Sequence, residues 1–405
     1  MKLLILSQYF WPENFRINDV VEGLTERGHT VTVYTGLPNY PGGRYFDGYG
    51  FLGPLHERYK AAEVRRAPLI ARGNGGGLRL AINFLSHAFF ATLLAPWLAR
   101  GRFDAILVYE PSPMTIGIPA RALRAIKRVP LLFWVQDLWP ESLSATGAVK
   151  NRTALGFVDR LIKWIYRGCD RVLVQSEAFI PSVEAHGVPR SRIRYLPNSA
   201  ENFYRRVQAD PADAAELPSG FRVMYAGNIG AAQDFATILA AAEQLKSESG
   251  IQWIIFGEGR MRSWVAEEVQ RRGLVASFHL LGQRPPERMP RYFAHADVLL
   301  ATLRREPIFA YTIPSKIQAY IACGKPVIAA LEGEGGRQIR EAGAGWVVPP
   351  ENPQALAHAV MAASRADKLE LSRMGERGEA WFREHFERDK LLTLLESQLE
   401  EAARA

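Results

Sequence analysis

An α/β protein of two successive parallel-sheet units is the architecture the sequence predicts. Short apolar runs of strand length alternate with amphipathic, helix-length segments along the whole chain, the pattern of parallel strands joined by crossover helices. The alternation breaks in a polar, proline-containing stretch over 196–218 and then restarts. At 405 residues the chain exceeds one ordinary domain, so two large or three small ones are expected, and 48% apolar content is enough to fill their cores.

In chain order, 2–7 reads as the first strand, since the apolar start lacks the long hydrophobic core and cleavage site of a signal peptide. A helix over 17–27 stops at Gly28, and a strand over 30–35 opens into a long loop to about residue 59, rich in glycine and aromatics. A strand follows near 63–66. Segment 80–99 carries no formal charge and is about long enough to span a bilayer, but Asn83, Ser86, His87, Thr92 and Pro96 interrupt it. It also lies between strands of one sheet. We read it as a crossover helix with Phe84, Phe89, Phe90, Leu94 and Trp97 partly facing a membrane surface, flanked by Arg72, Arg79, Arg100 and Arg102. A helix wholly buried in the protein is the alternative.

Strand 105–109, helix 115–127, strand 131–135 and the turn Gln136-Asp-Leu-Trp-Pro-Glu141 come next. Helix 154–166 sets Arg160, Lys163 and Arg167 beside Trp164 and Tyr166, either a second interfacial patch or a solvated basic face. Strand 171–175 and helix 177–186 close the first array. The second reads as strand 222–226, helix 235–246, strand 252–256, helix 261–272, strand 278–281, helix 288–295 and strand 297–301. Segment 312–326 then gives loop, short helix and strand, followed by strand 346–348, helix 353–364 and a largely helical 368–405. Two such arrays imply two Rossmann-like domains facing across a cleft, with ligands at the carboxyl ends of the strands.

Several classes are excluded. The first turn, Ser7-Gln-Tyr-Phe-Trp-Pro-Glu13, has none of the glycines a dinucleotide needs, and Gly227-Asn-Ile-Gly230 is only a partial match. No P-loop and no nucleophile elbow occurs. The eight histidines are scattered and the two cysteines, Cys169 and Cys323, lie far apart, so no metal site is expected and a reducing compartment fits. A formal net charge of +8 favours anionic partners, and without a nucleic-acid motif lipid and nucleotide come first.

Candidate chemistry sits on loops after strands. Ser315 and Lys316 open the 312–326 helix, where free N–H groups, a partial positive charge and a full one suit a phosphate or diphosphate. The same segment also reads as an ordinary loop–helix–strand unit with a solvated lysine. Asp137 and Glu141 follow an apolar strand and can accept a proton or a sugar hydroxyl, or simply cap a turn and face solvent. Glu258 sits in the Gly257-Glu-Gly259 turn, where backbone N–H groups can reach a ligand.

Taken together, Asp137-Leu-Trp-Pro-Glu141, Leu196-Pro-Asn-Ser199, Tyr225-Ala-Gly-Asn-Ile-Gly230, Phe256-Gly-Glu-Gly259, Ile313-Pro-Ser-Lys316 and Ala322-Cys-Gly-Lys-Pro-Val327 resemble the retaining glycosyltransferases of family 4, with the GT-B fold. The likeness is greatest to the bacterial enzymes of colanic acid, O-antigen and other exopolysaccharides. It implies an acceptor-binding domain over 1–200, a nucleotide-sugar-binding domain over 201–380, and a terminal helix over 381–405 that crosses back to the first domain. Many relatives carry two glutamates with seven residues between them, and an arginine and a lysine after the first strand of the second domain. Here those positions are Tyr311, Ala319, Asn228 and Gln233. Lys316 with the N–H of Ser315 is therefore the candidate for holding the donor, with Arg284 and Arg305 as helpers and Gly227, Asn228, Gly230, Gly257 and Glu258 around it.

The implied reaction is metal-independent hexosyl or N-acetylhexosaminyl transfer, from a UDP-sugar such as a UDP-N-acetylhexosamine, to a saccharide on a polyprenyl diphosphate. The nucleotide-sugar is a substrate and no cofactor is expected. The implied setting is cytoplasmic, on the anionic inner face of the plasma membrane, with no nucleic acid. A non-catalytic membrane-associated partner and a sugar-nucleotide epimerase of the same fold are the alternatives.

Overall fold

The computed structural model describes residues 1–73, 76–145, 151–248 and 250–404. It divides into two compact units, the first Met1–Pro197 with the segment from Asp389 onward, the second Asn198–Arg388.

The first unit is built on β1 (Lys2–Leu6), β2 (Thr30–Gly36), β3 (His56–Tyr59), β4 (Ala62–Ala67), β5 (Ala105–Glu110), β6 (Leu131–Val135), β7 (Arg171–Val174) and β8 (Ile193–Tyr195). Their order is β3-β4-β2-β1-β5-β6-β7-β8. Every pairing is parallel except β3 with β4. β5 and β6 are buried along their whole length, which is why β6, and β5 up to Tyr109, read as unbroken apolar runs: helices cover both faces of a parallel sheet. The second unit holds β9 (Phe221–Ala226), β10 (Ile251–Phe256), β11 (Phe278–Gly282), β12 (Val298–Thr302), β13 (Val327–Ala330) and β14 (Gly345–Val348), all parallel, in the order β11-β10-β9-β12-β13-β14.

Several elements depart from the sequence reading, among them the short helices Glu141–Ala145 and Pro307–Tyr311, which it leaves unassigned. β3 lies inside what reads as loop, because His56-Glu-Arg-Tyr59 is a half-exposed edge with no apolar run. β8 is only three residues long. The helix Glu334–Ala342 contains Gly335 and Gly336, which argue against helix by propensity. A Cβ on Gly335 would stand 2.8 Å from Pro314 Cδ, so tight packing explains the glycine.

Segment 80–99 is a helix, Gly77–Leu93, broken before a short turn, Ala95–Leu98. Its outward face differs from the expected one. Asn83, His87, Ala88 and Ala91 point inward, and Asn83 is fixed by Gln8 and Asn39. That rotation half-buries Phe84, Phe90 and Leu94, with Phe90 edge-on to Phe51 at 5.4 Å. Phe89 and Trp97 are exposed as expected, joined by Leu78, Ile82, Leu85 and Leu93.

The last helix, Arg388–Arg404, returns to the first unit. Leu392, Leu395 and Leu399 pack into the core that holds Leu24 and Val31. Arg27 pairs with Glu396 at 2.7 Å and Asp389 at 3.2 Å, and His29 meets Glu396 at 2.8 Å. The preceding helix, Lys368–His385, stays with the second unit, where the Trp381 indole donates to Gln338 at 2.8 Å. Ala405 lies outside the described residues.

Leu399 is completely buried in that core. Leu399→Ala is expected to cost about 2–5 kcal/mol, read as a lower urea midpoint. An unchanged midpoint would show that the returning helix does not stabilise the first unit.

Candidate active site

A cavity of about 550 Å³ opens in the second unit at the carboxyl ends of β9, β10 and β11. Its floor is backbone laid on backbone. The Gly227 N–H donates to Phe256 O at 2.9 Å, the Gly257 N–H to Gly282 O at 3.0 Å, and the Ile229 N–H to Glu258 O at 2.9 Å. Gly257 has φ +148°, and a Cβ there would stand 1.8 Å from Gly227 O. Gly259 has φ +157°, and its Cβ would meet Ile229 O at 2.3 Å. Only glycine satisfies both the conformation and the approach.

The helix Ser315–Ala322 points its N-terminus into the cavity wall, with Pro314 before it and no side chain capping it. Pro314 therefore precedes the helix and Ser315 starts it. Tyr320 ties this helix to β9: the Ala226 N–H donates to its hydroxyl at 2.9 Å. Lys316 reaches over the ring of Tyr225, its Nζ 3.9 Å from the centroid. Its stem is partly exposed, but the ammonium is shielded from water and has no hydrogen-bond partner among the described residues. Burial lowers its pKa to about 7. A buried cation with no counter-charge is costly, and its presence in a cavity points to an anionic ligand.

Gly227, Asn228, Gly257, Glu258, Arg284, Ser315 and Lys316 all line this cavity. Gly230 and Arg305 are not among its lining residues, and Arg305 faces Glu332 at 3.5 Å on the exposed surface. Arg284 lies on the wall but is already engaged, with Glu216 at 2.7 Å and Leu281 O at 2.7 Å. Glu258 sits 3.1 Å from Arg262. Asn228 and Gln233, where relatives carry arginine and lysine, bond to each other at 3.2 Å. Ala319 lines the cavity with a methyl group where relatives place a carboxylate. Sequence reasoning missed Tyr225, Tyr320 and the aromatic side of the cavity, where Tyr204 and Phe293 lie nearly parallel at 6.4 Å. Their meeting depends on tertiary packing that no local pattern carries.

Asp137 and Glu141 belong to the first unit, at the end of β6. Ser142 donates to Asp137 at 3.1 Å and Ser182 to Glu141 at 2.5 Å. Burial raises the Asp137 pKa to about 6. Glu110, which sequence reasoning passed over, ends β5 fully buried. The amides of Ser112, Gln136 and Asp137 lie close to its carboxyl group without forming an aligned bond. Burial, with the charge of Asp137, raises its pKa well above the carboxylate range. The carboxyl group in Glu110-Pro-Ser-Pro113, directly after a strand, is the signal that was available.

Residues 14–199 match the family model described as glycosyl transferase 4-like domain, and residues 220–365 the one described as glycosyl transferases group 1. The chain belongs to the family 4 glycosyltransferases of the GT-B fold. This glycosyltransferase is 29% identical over 310 residues to WbjE of Pseudomonas aeruginosa, named a probable glycosyltransferase, covering 73% of this chain and 75% of that one. It is 26% identical over 352 residues to WcaI of Escherichia coli, named for colanic acid biosynthesis, covering 82% and 84%. Among solved structures, Anabaena HepE in complex with UDP superposes with TM-score 0.73 at 17% identity over 99% of this chain and 100% of that one. Sucrose-phosphate synthase of Thermosynechococcus elongatus gives 0.73 at 19% over 99% and 98%. Both establish the fold.

Gly257→Ala is expected to destabilise the second unit by about 1–3 kcal/mol or more, read as a lower thermal midpoint. Gly42→Ala, where a Cβ meets open space, is the control and should leave the midpoint in place. Equal midpoints for the two variants would refute the packing argument.

Proposed function

We propose that this glycosyltransferase moves a sugar, with retention at the anomeric carbon, from a UDP-sugar to a lipid-linked saccharide during bacterial surface polysaccharide assembly. The observation that carries the reading is Lys316: a buried ammonium with no partner, at a helix N-terminus, on the wall of a cavity of nucleotide size. The naming of WcaI for colanic acid and the solution of HepE with UDP-glucose support it.

The donor's diphosphate meets Lys316 and the first N–H groups of the Ser315–Ala322 helix. The base lies toward Tyr204 and Phe293, where flat apolar surface favours a ring. As the bond from the anomeric carbon to the phosphate oxygen breaks, negative charge grows on the leaving UDP. Lys316 and the helix N-terminus stabilise that charge without a metal. The acceptor hydroxyl attacks the same face of the sugar and passes its proton to the departing phosphate. Asp137 and Glu141 orient the sugar or the acceptor. The acceptor is a saccharide on a polyprenyl diphosphate, and the enzyme works at the inner face of the plasma membrane. N-Acetylhexosamine is the favoured sugar.

Tyr311 and Ala319, which stand where relatives carry glutamates, favour a second reading: a non-catalytic partner that keeps the fold. Calorimetry with a panel of nucleotide sugars separates the two, since a pure scaffold binds none of them.

Lys316→Ala is expected to lower transfer by about 10²–10³-fold, followed as UDP release. Wild-type rate and donor affinity in this variant would sink the assignment. A second test uses protonation. With its pKa lowered to about 7 by burial, Lys316 is largely neutral in the free enzyme at about pH 8. An arriving diphosphate stabilises the charged form and raises that pKa, so binding takes up a proton. Calorimetry at about pH 8 in buffers of different ionisation enthalpy should show uptake approaching one proton, lost in Lys316→Met. No buffer dependence in the wild type would contradict the contact.

A further inference from the structure

The first unit carries an apolar surface that its own fold leaves uncovered. Along the Gly77–Leu93 helix, Leu78, Ile82, Leu85, Phe89 and Leu93 fall on one face, and Trp97 continues the line. Leu78 is 77% exposed, Leu85 59%, Phe89 61% and Trp97 56%. The loop tip widens the stripe, since Phe51 packs edge-on against Phe90 and its neighbour Leu52 is 89% exposed. A contiguous run of this kind marks an interaction surface rather than scattered apolar residues.

The charges around it have one sign. Between residues 64 and 103 the chain has no aspartate or glutamate and six arginines. Arg65 and Arg66 are held by Glu63 and Glu57. Arg72, Arg79, Arg100 and Arg102 make no ion pair among the described residues, and Arg79, Arg100 and Arg102 are exposed. No helix among the described residues is long and apolar enough to cross a membrane. A helix apolar on one face, with Asn83 hydrogen-bonded and His87 buried on the other and exposed arginines toward its ends, is built to lie in an interface.

We propose that the outward face of the Gly77–Leu93 helix, with Trp97 and the Phe51–Leu52 tip, docks in the plane of an anionic lipid bilayer. The apolar side chains enter the boundary between headgroups and acyl chains, and the exposed Arg79, Arg100 and Arg102 meet anionic headgroups. A second copy of this chain is disfavoured as the occupant, because pairing two such faces would bring like charges together. The proposal fits the reading that the acceptor is lipid-borne, but its test does not depend on catalysis.

The full chain is sedimented with phosphatidylcholine vesicles, alone or mixed with phosphatidylglycerol. Wild type should bind the mixed vesicles, more weakly as salt rises. L85E/F89E changes only exposed positions and should lower the partition coefficient by about a hundredfold or more, with UDP affinity and thermal midpoint unchanged. R100E/R102E should lose the preference for anionic vesicles. Leu369→Glu, an exposed leucine of the second unit, should bind as wild type. Absence of wild-type binding at low salt, or wild-type binding by L85E/F89E, overturns the proposal. So does a wild-type dimer in sedimentation velocity that L85E/F89E dissociates. Vesicle binding without nucleotide binding would count against the proposed function and leave this surface standing.

Discussion

Direct contact between backbones is the constraint on which the nucleotide-sized cavity depends. Parallel strands deliver three loops to one edge of the second sheet, and those loops bond to one another through Gly227, Gly257 and Gly282. With a Cβ on Gly257 only 1.8 Å from Gly227 O, any side chain there would force the loops apart and lift the floor. The glycines thus serve close approach first and turn geometry second. Everything on the wall, including the helix that opens at Ser315, takes its position from a floor with no thickness to spare.

Charge is distributed on this wall in an unusual way. Asn228 and Gln233 satisfy each other, Arg284 is neutralised by Glu216, and Glu258 lies beside Arg262. The Lys316 ammonium is stacked on an aromatic face rather than set against a carboxylate. The ring quadrupole offsets part of the desolvation but leaves the donor hydrogens unused. A methyl group at Ala319 where relatives carry a carboxylate also removes a negative charge from beside the cation. A methyl group at Ala319 and an unpaired ammonium at Lys316 are then two aspects of one electrostatic arrangement.

Much of the fold was legible because burial on both faces writes itself into composition. β6 is five consecutive apolar residues, and both arrays show their strands in the same way. Ser315–Ala322 was legible from its flanking proline and glycine. Glu334–Ala342 was not, because its glycines answer to neighbours distant in sequence, such as Pro314 and Val347. The apolar helix was visible but its orientation was not: the inward turn of Asn83 depends on Gln8 and Asn39, far along the chain. At the candidate site the lysine and the glycine turns could be read, whereas the tyrosines that frame Lys316 could not. Tyr225 and Tyr320 look like core residues in sequence and are core residues, but they also present a ring face and a hydroxyl to the cavity edge.

The return of the Arg388–Arg404 helix to the first sheet makes the second unit an insertion. In topology, the first unit is one module interrupted after Pro197 and resumed at Asp389. A gene cut once near its middle would not yield two modules, since the front half would lack Leu392, Leu395 and Leu399 and expose the core they seal. Exchange of the second unit alone between relatives therefore requires two crossovers, with the intervening stretch moved as a cassette. Tail and head of the chain are bound to the same ancestry by the packing of one helix.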